Sequence, residues 1–304
     1  MPRRRRTRRS FVTGIAVVAA LAIVTTALTV LALRAVEPTP QQQAAQPAPT
    51  FSFGSPEPTA TVTAEPPAAV TVDRAQQRTL VFGTAPGVAW RAIEGSCAEG
   101  IAPMIERSAD GGVTWNDVTP TYRDVRQVLT LESFAGNQAQ AIMVVGDDCT
   151  VDGLRTFTQG RFWEPYGEVL AQSTYVSPAQ ESTIITPDGQ VTAPCAEPRD
   201  VRASNGTLLL VCGRDLQQVI DGDWVASGYS GVDAHARDAD DALYVAWRAT
   251  DCDGIAISPA APAPLTVGAC ISAPQAQPAT AIAITGTDAW VWTGDTVTVV
   301  ELGD

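Results

Sequence analysis

The chain has 304 residues, and its 20 basic residues, all arginine, stand against 33 acidic ones, a formal charge of −13 with a single histidine. That balance excludes nucleic acid, whose phosphates demand a basic footprint. With one histidine, no CxxC and no glycine-rich phosphate loop, the sequence offers no metal or cofactor site.

Residues 1–10, MPRRRRTRRS, form a basic tail, and FVTGIAVVAALAIVTTALTVLAL follows without a single charge. A helix over 11–34 is long enough to span a hydrocarbon core of roughly 30 Å. Arginines lie before it and acidic residues after it, so the positive-inside rule predicts a cytoplasmic N-terminus and an exported remainder held at the cell membrane. A cleaved export signal is the alternative, since TRRSFV resembles a twin-arginine motif. Residues 35–68, rich in Pro, Gln, Ala and Thr, have too few large apolar groups to offset chain entropy and predict a disordered stalk. Residues 69–304 are left as one extracellular domain, large enough for its own core.

Beyond the stalk the segments are short and rich in Val, Ile, Thr and Trp, with turns of Gly, Asp and Pro between them. This is the pattern of antiparallel β-structure. A polar turn leading into an apolar strand recurs in SADGGVTW (108–115), TQGRFW (158–163), PDGQVT (187–192), DGDWV (221–225) and TGDTVTV (293–299). Candidate inner strand pairs precede them, among them RQVLTLESF with AQAIMVVGD and DAHARDAD with ALYVAWRA. The mean interval is about that of a four-stranded propeller blade. The expected fold is an all-β propeller of about six blades, with five or seven as variants and a two-sheet sandwich as the competitor. AAVTV (68–72) is expected to pair beside the C-terminal TVTVVEL and close the ring.

One turn is spelled in full: Ser108, Asp110, Gly112, Thr114 and Trp115. It resembles the Asp-box of the sialidase-like (BNR repeat) propeller superfamily. The resemblance implies a turn between the two outer strands of a blade, away from the catalytic face, with Asp110 accepting from turn amides. The family's enzymes also carry an Arg-Ile-Pro motif, an arginine triad and a tyrosine–glutamate pair. No Arg-Ile-Pro occurs here, and no tyrosine stands in a context that assigns it as nucleophile. No catalytic residue is therefore named. His235, in VDAHARD, is read as a structural histidine on an innermost strand, and the tryptophans as residues packed between blades.

Cys97, Cys149, Cys195, Cys212, Cys252 and Cys270 all lie in the exported part and are expected to form disulfides. The strand reading puts them at ends of second and fourth strands, on the face opposite the Asp-box. Sequential pairing follows: Cys97–Cys149, Cys195–Cys212 and Cys252–Cys270. Asp147, Asp148, Asp152, Asp251 and Asp253 share those loops and suggest an acidic binding face. The sequence thus supports a membrane-anchored binding or scaffold module whose partner is an envelope protein or a glycan. A divergent glycoside hydrolase and an assembly factor for a membrane complex are the alternatives.

Overall fold

The computed structural model describes residues 73–261, 265–273 and 279–302. They fold into six antiparallel sheets. Blade 1 holds β1 (Arg78–Phe82), β2 (Ala89–Ile93), β3 (Met104–Ser108) and β4 (Asn116–Asp117). Blade 2 holds β5 (Val125–Phe134), β6 (Gln138–Val145), β7 (Thr150–Thr156) and β8 (Glu164–Pro165). A short helix, α1 (Gly167–Gln172), leads to blade 3: β9 (Tyr175–Val176), β10 (Thr183–Thr186) and β11 (Gly189–Thr192). Blade 4 is β12 (Pro198–Ser204), β13 (Thr207–Cys212), β14 (Asp215–Ile220) and β15 (Asp223–Ser230). Blade 5 is β16 (Val232–Arg237), β17 (Leu243–Trp247), β18 (Gly254–Pro259) and β19 (Ala269–Ser272). Blade 6 is β20 (Thr280–Thr285), β21 (Asp288–Thr293) and β22 (Thr296–Glu301).

The sheets close into a ring, because β1 packs on β5 on one side and on β20 on the other. This is a six-bladed propeller, and the sandwich alternative falls. Each blade is squeezed between two neighbours, so its middle strands are buried on both faces. That is why TLLLVC of β13 and DAWVWT of β21 are nearly continuous apolar runs rather than alternating ones. The core is accordingly divided into packets between successive blades. Trp90 and Trp163, both fully buried, meet edge to face at 6.1 Å between blades 1 and 2. Phe82 and Trp290 do the same at 4.9 Å between blades 1 and 6. Burying one such indole stabilises the ring by about 2–3 kcal/mol.

Blade 3 departs from the four-stranded plan of its neighbours. The β9–β10 turn carries Glu181, close enough to Glu94 to act on its charge, and Val176 O accepts from Arg74 Nη2 at 3.4 Å. Both neighbours stand where β1 begins. β9 therefore runs toward that face, opposite to β5 and β12, and corresponds to the second strand of a blade. Among the described residues blade 3 has no innermost strand, and α1, too short to show a helical period, occupies the connection instead.

Among the described residues no helix is long and apolar enough to cross a membrane. The basic tail, the span over 11–34, the stalk over 35–68 and the closing strand AAVTV lie outside those residues.

Candidate functional site

Antiparallel blades sort their connections by face. Turns from second to third strand, and links from blade to blade, emerge on one face. Hairpins from first to second and third to fourth strand emerge on the other. All six cysteines belong to the linker face, where they are joined as Cys97–Cys149, Cys195–Cys212 and Cys252–Cys270. The first ties blade 1 to blade 2, the second ties the blade 3–4 link to blade 4, and the third lies within blade 5.

The acidic residues named from the sequence reach the same face but not one patch. Asp147, Asp148 and Asp152 belong to blade 2, and Asp251 and Asp253 to blade 5. Those blades are three apart in a ring of six, so the two groups stand across the channel from each other. Arg126 Nη2 also engages Asp147 Oδ1 at 2.5 Å. Blade order, which the loop sequences alone do not fix, thus divides the acidic residues of this face into two groups.

On the opposite face, the Asp-box forms the β3–β4 hairpin. Ser108 Oγ donates to Asp110 Oδ1 (2.8 Å) and accepts from Gly112 N (2.8 Å). Asp110 Oδ1 also accepts from Thr114 N at 2.9 Å, and its Oδ2 from Thr114 Oγ1 at 2.5 Å. These bonds, those from Thr114 first, lower the Asp110 pKa from 3.8 to about 2. Gly112 has φ +83°, and a Cβ there would lie 2.4 Å from the Trp290 ring of blade 6. Trp115 Nε1 donates to Gly112 O at 3.0 Å, and Arg91 stacks 4.3 Å over the indole.

Asp110→Ala is expected to lower the melting temperature and leave ligand binding unchanged, because the residue holds a turn. A depressed carboxyl pKa stabilises fully above its ordinary 3.8 and loses that effect as pH falls through about 2. The difference between variant and parent in thermal denaturation should therefore narrow at acid pH.

The β7–β8 hairpin is a second, altered copy that the sequence reading recognised only as a turn. Thr156, Thr158, Gly160 and Trp163 repeat the spacing of Ser108, Asp110, Gly112 and Trp115. Thr156 Oγ1 accepts from Gly160 N at 2.9 Å, and Thr158 Oγ1 from Phe162 N at 2.8 Å. Threonine has replaced the aspartate while the hydrogen-bond plan persists. The spacing of these four residues was the signal available.

The central channel contains a cavity of about 330 Å³. Asp73–Gln77 crosses its linker-face mouth. Arg74 Nε donates to Glu94 Oε1 at 2.9 Å, and Gln77 Oε1 reaches Asp200 N of blade 4 at 3.4 Å. Gln127 Nε2 donates to the same Glu94 oxygen at 2.7 Å. Burial pushes the Glu94 carboxyl up, against the pull of Arg74 and Gln127.

Deeper in, Asp200 receives Arg202 Nε at 2.8 Å and the His235 backbone N–H at 2.7 Å. Burial alone would raise its pKa, but Arg202 and His235 outweigh burial and hold it below the ordinary value. His235, 1 % exposed on the innermost strand β16, sends Nε2 to Asp200 O at 2.8 Å. A carbonyl only accepts, so Nε2 carries the proton and Nδ1 is left without a partner. Burial pushes the imidazole pKa down, with Asp200 opposing. The Arg74–Glu94 and Asp200–His235 contacts join residues from separate elements, and no local spacing announces them.

The closed ring of six blades and the Asp-box on a third-to-fourth hairpin agree with the fold and the turn that the resemblance to the Asp-box propellers implies. No protein-family model matches the chain, and no curated protein matches it. Similar solved structures include YCF48 bound to D1 peptide, at 15 % identity, TM-score 0.37, over 77 % of this chain and 85 % of that one. YCF48 from Cyanidioschyzon merolae is 12 % identical, TM-score 0.36, over 77 % and 84 %. A Hadza microbial sialidase, Hz136, is 10 % identical, TM-score 0.32, over 74 % and 52 %. None is close enough in sequence or geometry to carry function.

Proposed function

We propose that this chain is a membrane-anchored, exported propeller without catalytic activity, holding a protein partner at the cell envelope through its linker face. The observation that carries this reading is the concentration of all three disulfides on that face. Loops fixed before contact lose little conformational freedom on binding, which favours a docking surface. Anchoring rests on the arginine tail and the uncharged run that follows it.

A binding role is favoured over glycoside hydrolysis by the state of the channel carboxylates. A hydrolase needs one carboxyl free to protonate a leaving group and another free to attack or to activate water. Here Arg74 and Gln127 engage Glu94, Arg202 engages Asp200, and Gln140 Nε2 donates to Glu132 Oε2 at 2.9 Å.

Photocrosslinking in intact cells tests the reading. A benzoyl-phenylalanine at position 148 or 251, on the linker face, is expected to capture a discrete envelope protein. The same group at position 113 or 287, on hairpins of the opposite face, should not. Capture from 113 and 287 alone, or equally from all four positions, contradicts the assignment.

A further inference from the structure

Among the described residues no innermost strand of blade 3 stands between β5 and β12, which leaves a shaped space. Residues 128–132 of β5 and 200–204 of β12 all border the channel cavity. Both strands break register here, between Val128 and Thr130 and between Arg199 and Arg202, and on the side that an inner blade 3 strand would cover Leu129 and Val201 are only partly buried, resting on the Tyr175 and Ile184 packets. Leu129 and Thr130 form one wall, Val201 and Ala203 the other, and Tyr175 of β9 stands behind. Glu132 and Ala203 are exposed and mark the end of the space toward the hairpin face.

The edge of β9 is equipped to pair. Ser177 N donates to Thr183 O at 2.8 Å, and Tyr175 is opposite Ile185 while Val176 is opposite Ile184. Hydrogen-bonding direction alternates along an antiparallel strand. Tyr175 and Ser177 thus bond toward β10, while Thr174 and Val176 turn their N–H and C=O groups to the open side. Val176 O already accepts from the Arg74 side chain there.

We propose that this space is a slot for an extended segment of a partner protein, which adds to β9 and completes blade 3. The five bordering residues of β5 span about 17 Å, room for an extended segment of four or five residues. Arg202 is paired with Asp200, and Arg237 with Asp241 at 3.2 Å, so neither offers a free cation to an acidic segment. An alternating segment fits: apolar side chains go to Leu129, Val201 and Tyr175, and polar ones to the channel. Main-chain pairing gives affinity and alternate pockets give selectivity. The slot deepens the binding reading but lies apart from the linker face, so crosslinks at 148 and 251 survive if the slot fails.

The test pans a phage-displayed random heptapeptide library against the full chain, then measures the selected peptide by fluorescence anisotropy. Alternating apolar and polar sequences should be enriched. N-methylation at every second residue should weaken binding by about tenfold or more, and the intervening positions should tolerate it. Ala203→Trp, at an exposed position, should block binding with the melting temperature unchanged. The proposal is overturned if no peptide is selected over control phage, or if N-methylation is tolerated throughout. It is equally overturned if Ala203→Trp binds as the parent does. Self-association of the full chain that Ala203→Trp abolishes would name a second copy as occupant and also overturn it.

Discussion

Gly254→Ala is expected to unfold blade 5, at a cost of about 4 kcal/mol or more, the range reserved for steric conflicts that nothing nearby can absorb. Gly254 opens β18 with φ +153°, and a Cβ built there lies 1.9 Å from Ile271 O and 2.6 Å from Ala273 N. Both are backbone atoms of β19 and its end, whose register Gly254↔Ser272 is fixed by ladder bonds. A flexible side chain could swing aside, but a paired strand cannot. The neighbouring Cys252–Cys270 bridge holds the same two segments together and removes the remaining escape. Because blade 5 shares buried packing with blades 4 and 6, the damage should spread round the ring as one cooperative loss. Chemical denaturation checks this, and a midpoint within error of the parent would contradict the β18–β19 geometry.

The second large effect concerns the disulfides, and it should be graded. Cys97–Cys149 closes a span of 52 residues, against 17 and 18 for the other two. In the chain-entropy account a loop of the first size contributes about 4 kcal/mol and the shorter loops about 3 kcal/mol each. Replacing Cys97 and Cys149 together by alanine should therefore cost most. That bridge also joins different blades, so its loss frees blade 1 to splay from blade 2 on the linker face. The Cys252/Cys270 pair acts within one sheet that its ladder already holds, and its removal should cost less. Denaturant midpoints of the three double variants rank the effects, and equal losses would remove loop entropy as the cause.

Much of this architecture is legible in the sequence because propeller blades are built from local hairpins. Asp-Gly and Asn-Gly turns fix where strands end, and buried middle strands advertise themselves as apolar runs. The Asp-box residues carry their own plan, since each hydrogen bond spans four residues or fewer. Strand ends, once placed, also set the order in which cysteines meet. What was not legible is non-local or an omission. Arg74 finds Glu94 from 20 residues away, and Asp200 finds His235 from 35. Missing strands leave no motif, and α1 is too short for a period to show. The Thr158 hairpin escaped because a hydroxyl replaced the carboxylate by which the motif is known, although its amide partner is unchanged.

All of the functional account rests on the blade register that gathers six cysteines on one face. Peptide mapping of the propeller without reduction tests this most directly. The account predicts three linked peptides, Cys97 with Cys149, Cys195 with Cys212, and Cys252 with Cys270, and no free thiol. A bridge from Cys97 to Cys270, or any unpaired cysteine, would contradict the register and the docking face built on it.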